Sequence, residues 1–395
     1  MSSRRLEPVA VPAGADVLAL LPALRAALRG DGPALLPHAA GTPPAVSLRA
    51  GEALAAGEDD PADPTVAVVA TSGSTGRPKG ALLTASALLA SASATHDRLD
   101  GPGRWLLALP ADHVAGLQVL LRAMVTGTEP GVVDLTGGFD PAAFTHAARA
   151  LAGRRRYTAL VPTQLRRLLD AGGAARAALA GLDAVLIGGA ATPPALLAEA
   201  RGAGVHVVTT YGMSETCGGC VYDGLPLAGV RVVVDTDGRV RLGGPTVARG
   251  YRGGDPEGTF TTGDDGIRWF RTDDAGVLDP DGRLRVLGRL DDLIVTGGLK
   301  VSPGVVEGAL LTVPGVAEAA VVGVPDRTWG ERIVAFVVPA PGGDPPTLTD
   351  VRRLVGERAG RHAAPHQLLV LDRLPLRGPG KPDRLQLRRL AQYGP

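Results

Sequence analysis

The sequence predicts an α/β protein of two domains, with a β-rich part following a layered α/β part. Three observations predict it. Between Trp105 and Arg201, helical patterns and short apolar runs alternate, which implies helices layered on a largely parallel sheet. From about Gly229 the texture changes to short β segments with Asp-Gly turns at 237–238 and 281–282. At 395 residues the chain is long enough to bury two separate cores.

The elements follow in order. Residues 1–65, rich in Pro, Ala and Gly, read as helix and loops, with an amphipathic helix from Val17 to Leu28. Val66–Ala70 is an apolar, largely β-branched run and reads as a buried strand. Thr84–His96 is Ala/Leu/Ser-rich and reads as a helix, and Trp105–Leu109 is a strand ending at Pro110. Helices at Pro141–Ala152, Gln164–Leu169 and Pro193–Arg201 alternate with strands at Thr158–Val161, Ala184–Ile187 and Val205–Val208. The β segments beyond are Val230–Val234, Arg239–Leu242 and Arg283–Leu287.

Composition excludes several function classes. With 41 basic against 40 acidic residues the formal net charge is +1, so no global field recommends nucleic acid or an anionic membrane as partner. Aromatics are 3% of the chain, too few for base-stacking platforms. Val17–Leu28 is broken by Pro22 and Arg25, so it is neither a signal nor a membrane span, and a cytosolic location follows. The two cysteines, Cys217 and Cys220, form a C-x-x-C without a second pair to complete a zinc site, and read as structural or pocket-lining. The sequence leaves a homodimer open.

The segment Thr71-Ser72-Gly73-Ser74-Thr75-Gly76-Arg77-Pro78-Lys79-Gly80 carries the most chemistry. Four hydroxyls, three glycines and a lysine follow a buried strand. Glycines admit close backbone approach, hydroxyls and N–H groups bond phosphate oxygens, and the lysine adds a mobile charge. The loop is built for a polyphosphate. It is not a Walker loop, in which Gly and Lys are adjacent at the start of a helix. Here Arg77 and Pro78 intervene, and Gly80 stands where Ser or Thr belongs.

This loop resembles the phosphate loop of the adenylate-forming superfamily, which includes acyl-CoA synthetases. Further motifs match in the superfamily's order, from about residue 66 to 390. The resemblance implies the rest of the architecture: a large N-terminal domain, 1–290, of layered α/β subdomains plus the β-rich subdomain, and a small mobile C-terminal α+β domain, 291–395. It implies that Thr71, Ser72, Gly73, Ser74, Thr75, Gly76 and Lys79 hold ATP phosphates, and that Gly189 and Ala190 of Ile187-Gly188-Gly189-Ala190-Ala191 form one adenine wall. Tyr211 and Gly212 of Tyr211-Gly212-Met213-Ser214-Glu215-Thr216 form the other, with Tyr211 stacking on the base. Ser214 faces the α-phosphate or the acid, and Glu215 is the Mg²⁺ ligand, a hard carboxylate suited to that ion. In Trp269–Gly276, Asp274 takes the ribose hydroxyls, while Asp273 stands where many members have glycine. Arg289 reaches ribose or phosphate, and Asp291 is the hinge. Gly297, Gly298 and Lys300 approach coenzyme A. Lys381, in Gly380-Lys381-Pro382-Asp383-Arg384, contacts the reacting carboxylate and α-phosphate. His113, after Leu109-Pro110, lines the acid pocket with Thr163, Gln164 and Thr216.

The implied activity is ligation of a small carboxylic acid to coenzyme A at the expense of ATP. Amino-acid activation is disfavoured, because Leu160–Leu165 offers no carboxylate for an ammonium group. Within the superfamily, Val161–Leu169 (VPTQLRRLL), Leu109–Leu120 and the compact C-terminal end most resemble the o-succinylbenzoate–CoA ligases of menaquinone biosynthesis. Arg122, Gln164 and Arg166 are candidates, by chemistry alone, for the second carboxylate of such an acid. Another aryl- or acyl-CoA ligase, or a non-catalytic nucleotide-binding relative, would share the same motifs.

Overall fold

The computed structural model describes residues 4–71, 78–255, 258–340, 342–375 and 382–394, and in these four sheets follow one another along the chain. The first has the order Leu6–Val11, Ala34–Ala39, Thr65–Thr71, Lys79–Thr84. Its first three strands are parallel and the fourth folds back antiparallel. Two of these strands correct the reading of residues 1–65 as helix and loops. Both contain proline, which hides a strand in sequence. Pro8 lies on the sheet edge, and Pro37 lies beyond the single Leu35–Ala67 pairing to the next strand, so neither removes a needed ladder bond. The amphipathic segment forms as a 3₁₀ turn, Ala15–Leu20, running into the helix Leu21–Arg29, with Pro22 tolerated in the first turn.

The central sheet has seven strands in the order Leu225–Pro226, Gly218–Tyr222, Val207–Met213, Ala184–Ile187, Arg156–Leu160, Arg104–Leu107, Gly131–Val132. The last five are parallel, and the first two add antiparallel at one edge. Alternation along the strands sends neighbouring residues to opposite faces. Trp105 and Leu107 join the core under the helices Ala85–Arg98 and Val114–Val125, whereas Leu106 and Ala108 join the core under Pro141–Ala150, Pro162–Ala171, Gly173–Ala180 and Pro194–Gly202.

The third sheet is antiparallel, in the order Arg231–Val234, Arg239–Gly243, Arg268–Leu278, Phe260–Thr262, with Leu284–Arg289 pairing the far half of the long strand. A 3₁₀ turn, Leu290–Asp292, leads to the fourth sheet: Leu299–Val301, Ile294–Thr296, Gly330–Pro339, Val316–Asp326, with Gln367–Val370 added in parallel. The helices Pro303–Leu310 and Leu348–Ala359 cover one face of it and Arg384–Tyr393 the other. Both of these small cores are drawn from residues between Ile294 and Ala391 alone.

Candidate active site

Thr71 ends a strand and pairs directly with Lys79, which begins the antiparallel return strand. The two flanking strands are therefore antiparallel neighbours, whereas a helix follows a Walker loop. Ser72, Gly73, Ser74, Thr75 and Gly76 lie outside the described residues. The segment Arg249–Arg252 runs alongside the return strand: Arg249 N–H donates to the Leu82 carbonyl (2.9 Å), Leu82 N–H to Gly250 (2.9 Å) and Arg252 N–H to Gly80 (2.8 Å). This brings the buried Tyr251 beside Lys79, whose Nζ lies 5.0 Å from the ring centroid. The Tyr251 hydroxyl donates to Glu215 Oε1 at 2.6 Å. Burial raises the Glu215 carboxyl above its ordinary range, against the Tyr251 hydrogen bond and the charges of Lys79 and Arg289.

The strand Val207–Met213 carries Tyr211 toward the third sheet, where its hydroxyl donates to Asp274 Oδ2 at 2.7 Å. Burial, joined by the Asp274 charge, pushes the Tyr211 phenol upward, so it stays a donor. Burial also raises the Asp274 carboxyl, opposed by the Tyr211 bond and Arg289. Strand register sets Asp274 opposite Arg289. Arg289 meets Asp273 at 3.0 Å, Asp291 at 3.4 Å and Asp274 at 4.0 Å, and these carboxylates outweigh the burial that works against its charge. Short contacts thus link Lys79, Tyr251 and Glu215 in one group and Tyr211, Asp274 and Arg289 in another, with the Arg289 charge acting on Glu215.

Two glycines have structural reasons. A Cβ on Gly188 would strike Thr210 Oγ1, and one on Gly212 would strike the Gly218 carbonyl of the neighbouring strand. Close strand approach already demands Gly212, which was read as nucleotide-binding. Gly189 and Ala190 are exposed just past the strand Ala184–Ile187. His113 stands at the N-cap position of Val114–Val125 with its side chain 72% exposed, and Thr163 is exposed in the first turn of Pro162–Ala171. Ser214 begins a 3₁₀ turn and is half-buried.

Other expected pocket residues have hydrogen-bond partners within the fold. Thr216 is fully buried, and its hydroxyl closes its own turn with the Met213 N–H (3.0 Å) and the Gly218 carbonyl (2.8 Å). Gln164 caps its helix: Oε1 accepts from the Val161 N–H (3.0 Å) and Nε2 donates to the Ala108 carbonyl (2.8 Å). Arg166 is paired on the surface with Glu199 (2.7 Å) and Asp170 (3.2 Å). Arg122 is buried over the Trp105 ring, 4.9 Å from its centroid, and donates to the Tyr222 hydroxyl. All three guanidinium or amide candidates for a second carboxylate thus have partners within the fold, with the Arg122 Nε alone among them buried without one. Cys217 and Cys220 are wholly buried, and burial pushes both thiols upward, Cys220 to about 12.

In the C-terminal part, Gly297 and Gly298, at φ 56° and 77°, form the two-residue turn between Ile294–Thr296 and Leu299–Val301. Lys300 is exposed and reaches the Asp237 carbonyl at 3.4 Å. Asp291 lies in the Leu290–Asp292 turn. Lys381 lies outside the described residues. A cavity of about 650 Å³, lined by Asp63, Thr84, Arg231, Arg249 and Arg268 among others, includes none of the expected site residues. It opens at the far end of the return strand from Lys79, so volume alone does not locate the chemistry.

Glu215 also answers whether a metal fits. No group of three or more His, Cys, Asp or Glu side chains is placed to hold an ion among the described residues. A single carboxylate with one oxygen already bonded suits Mg²⁺, which keeps waters and binds through one or two carboxylates plus substrate phosphates. Tyr251 was missed in the sequence. It sits in an Arg-Gly-Tyr-Arg-Gly run without periodicity, and residue type was its only signal.

Comparison with known proteins adds a second line of observation. Residues 34–252 match the family model described as AMP-binding enzyme, and residues 305–381 match that of the AMP-binding enzyme C-terminal domain. The chain is 49% identical over 382 residues to the "Probable 2-succinylbenzoate--CoA ligase" of Mycobacterium tuberculosis strain H37Rv, covering 96% of this chain and 97% of that one. It is similar to the o-succinylbenzoate CoA synthetase of Bacillus subtilis in complex with the acyl-adenylate intermediate, at 30% identity and TM-score 0.71, covering 82% of this chain and 69% of that chain. The same Bacillus subtilis protein in complex with ATP and magnesium ion gives 31% identity and TM-score 0.70, covering 82% and 70%.

Proposed function

The chain belongs to the AMP-binding enzyme family, and on that premise we propose how its site works. It is an ATP-dependent, AMP-forming acid–thiol ligase that converts o-succinylbenzoate to o-succinylbenzoyl-CoA, the step used in menaquinone biosynthesis. The observation that carries the substrate is the 49% identity sustained over 97% of a relative named for that acid. Among the described residues no helix is long and apolar enough to cross a membrane. The reading puts the enzyme in the cytoplasm, with ATP and coenzyme A.

A carboxylate is too poor an electrophile for a thiol to attack. In the first half-reaction a carboxylate oxygen bonds the α-phosphorus of ATP, and the bond to the bridging oxygen breaks as pyrophosphate leaves. In the second, the thiol of coenzyme A, giving up its proton, bonds the acyl carbon as AMP departs. In our reading Tyr211 and Asp274 hold adenine and ribose, with Asp274 accepting from sugar hydroxyls beside its bond to Tyr211. The loop Thr71–Lys79 holds the β- and γ-phosphates. Glu215 would hold Mg²⁺ together with those phosphates, and the ion when bound neutralises charge that builds in the transition state. Lys381 would act at the α-phosphate and carboxylate, with Ser214 and His113 lining the acid's approach. Gly297, Gly298 and Lys300 would guide coenzyme A after rotation about Asp291, since one small domain cannot present both loops at once.

Pyrophosphate release measured with a panel of aromatic and aliphatic acids tests the reading. We expect o-succinylbenzoate to give the highest kcat/KM. Release with simple benzoates but none with o-succinylbenzoate would overturn the substrate.

A further inference from the structure

Glu215 is attached to the segment Val247–Arg252 at two levels. Its backbone carbonyl accepts from the Ala248 N–H at 2.9 Å, and its Oε1 accepts from the Tyr251 hydroxyl at 2.6 Å. Tyr251 is itself fixed. Its N–H donates to Asp255 Oδ1 at 2.7 Å, and its ring meets Phe260 edge-on at 5.2 Å. The next residue, Arg252, has a wholly buried side chain and pairs with the buried Glu58. Arg252 also donates to the Leu48 carbonyl at 2.9 Å and the Arg49 carbonyl at 3.1 Å, while Glu58 accepts from the Gly253 N–H at 2.7 Å. A buried ion pair so fully hydrogen-bonded serves geometry more than stability. It anchors the backbone on which Tyr251 stands.

We propose that Tyr251 is a positioning residue for the adenylation step: its hydroxyl occupies Oε1 of Glu215, leaving Oε2 to the nucleotide-borne metal. The proposal rests on the reading of Glu215 as the metal ligand. A carboxylate on two rotatable side-chain bonds beyond Cβ presents either oxygen in several directions, and a charge-assisted bond to one oxygen selects among them. The same ring carries the Lys79 ammonium on its face, so one tyrosine sets the carboxylate and the lysine that flank the polyphosphate loop.

The experiment measures binding without the acid. Mn²⁺ affinity in the complex with α,β-methylene-ATP is read by electron paramagnetic resonance, and nucleotide affinity without metal by calorimetry in EDTA. Tyr251→Phe keeps the ring and its packing, which circular dichroism and the thermal midpoint verify. We expect it to weaken Mn²⁺ roughly 10- to 100-fold, the range for a lost hydrogen bond to a charged group. Metal-free nucleotide affinity should stay within twofold. In a Glu215→Ala background the same change should weaken Mn²⁺ no further, because Tyr251 acts through Glu215. An equal loss with and without metal, or a full effect of Tyr251→Phe in the Glu215→Ala background, would overturn the proposal. If Glu215→Ala alone leaves Mn²⁺ affinity unchanged, the metal-ligand reading falls and takes this one with it. If Glu215→Ala weakens Mn²⁺ and Tyr251→Phe does not, only the positioning role falls.

Discussion

Asp273 and Asp274 are adjacent in sequence and sit in different environments. The Asp274 side chain is 15% exposed and bonded to Tyr211, while Asp273 is 57% exposed and shared between Arg239 and Arg289. Alternation along the strand Arg268–Leu278 separates them, and a motif match alone did not give the reason. Glu215 and Tyr211 stood out as candidates because a rare string of types marked them. Tyr251 did not, since its contact with Glu215 spans 36 residues of the chain and no local pattern encodes it. The same limit hides the helix cap formed by Gln164, whose amide bonds the Val161 N–H and the Ala108 carbonyl. Lys381 gives the prediction at this scale. Lys381→Ala should slow adenylate formation, followed by pyrophosphate release, by roughly 10²–10³-fold, the usual cost of one preorganised charge donor. Thioester formation from supplied o-succinylbenzoyl-adenylate should be largely spared. Equal losses in both half-reactions would remove the lysine from its assigned step.

Between elements, the contact of the helix Ala85–Arg98 with the strand Arg104–Leu107 turns on one bond, Trp105 Nε1–H donating to His96 Nε2 at 3.1 Å. The accepting nitrogen must be unprotonated. Burial, then the nearby Arg122 charge, lowers the His96 imidazole from 6.5 to about 4. Between those values the unfolded chain binds more protons than the folded one, so stability falls as pH is lowered through that window. From pH 7 to pH 5 this group should remove about 2 kcal/mol. Urea denaturation of wild type and His96→Gln at both pH values checks it, with the variant expected to lack that increment. Element types were most legible in the central sheet, where apolar runs are short, bounded and alternate with helical periods. Ala184–Ile187 was read to the residue. Strands were missed where proline masked them, at Leu6–Val11 and Ala34–Ala39. The long strand Arg268–Leu278 was missed because its carboxylates and arginines are there for the site and not for β-propensity.

For the whole molecule, the cores of the C-terminal part share no residue with those of the N-terminal part, and the turn Leu290–Asp292 joins them. Parts with separate cores can rotate about a short connection without unpacking either. Asp291 has a largely exposed side chain there, tied to the body by its 3.4 Å contact with Arg289. Asp291→Pro, by fixing φ, should hold one orientation and separate the two half-reactions. We expect adenylate formation and thioester formation, assayed singly, to differ in their losses by at least about tenfold. Unchanged kinetics for both would exclude a hinge at this residue. Motion of this kind is best followed by distance labels, and the two cysteines bear on how they are attached. Cys217 and Cys220 are the only cysteines in the chain, both are at 0% exposure, and burial suppresses their thiolates. The native fold is thus silent toward maleimides, and a cysteine pair introduced on either side of Asp291 would take up fluorophores without any native cysteine first being removed.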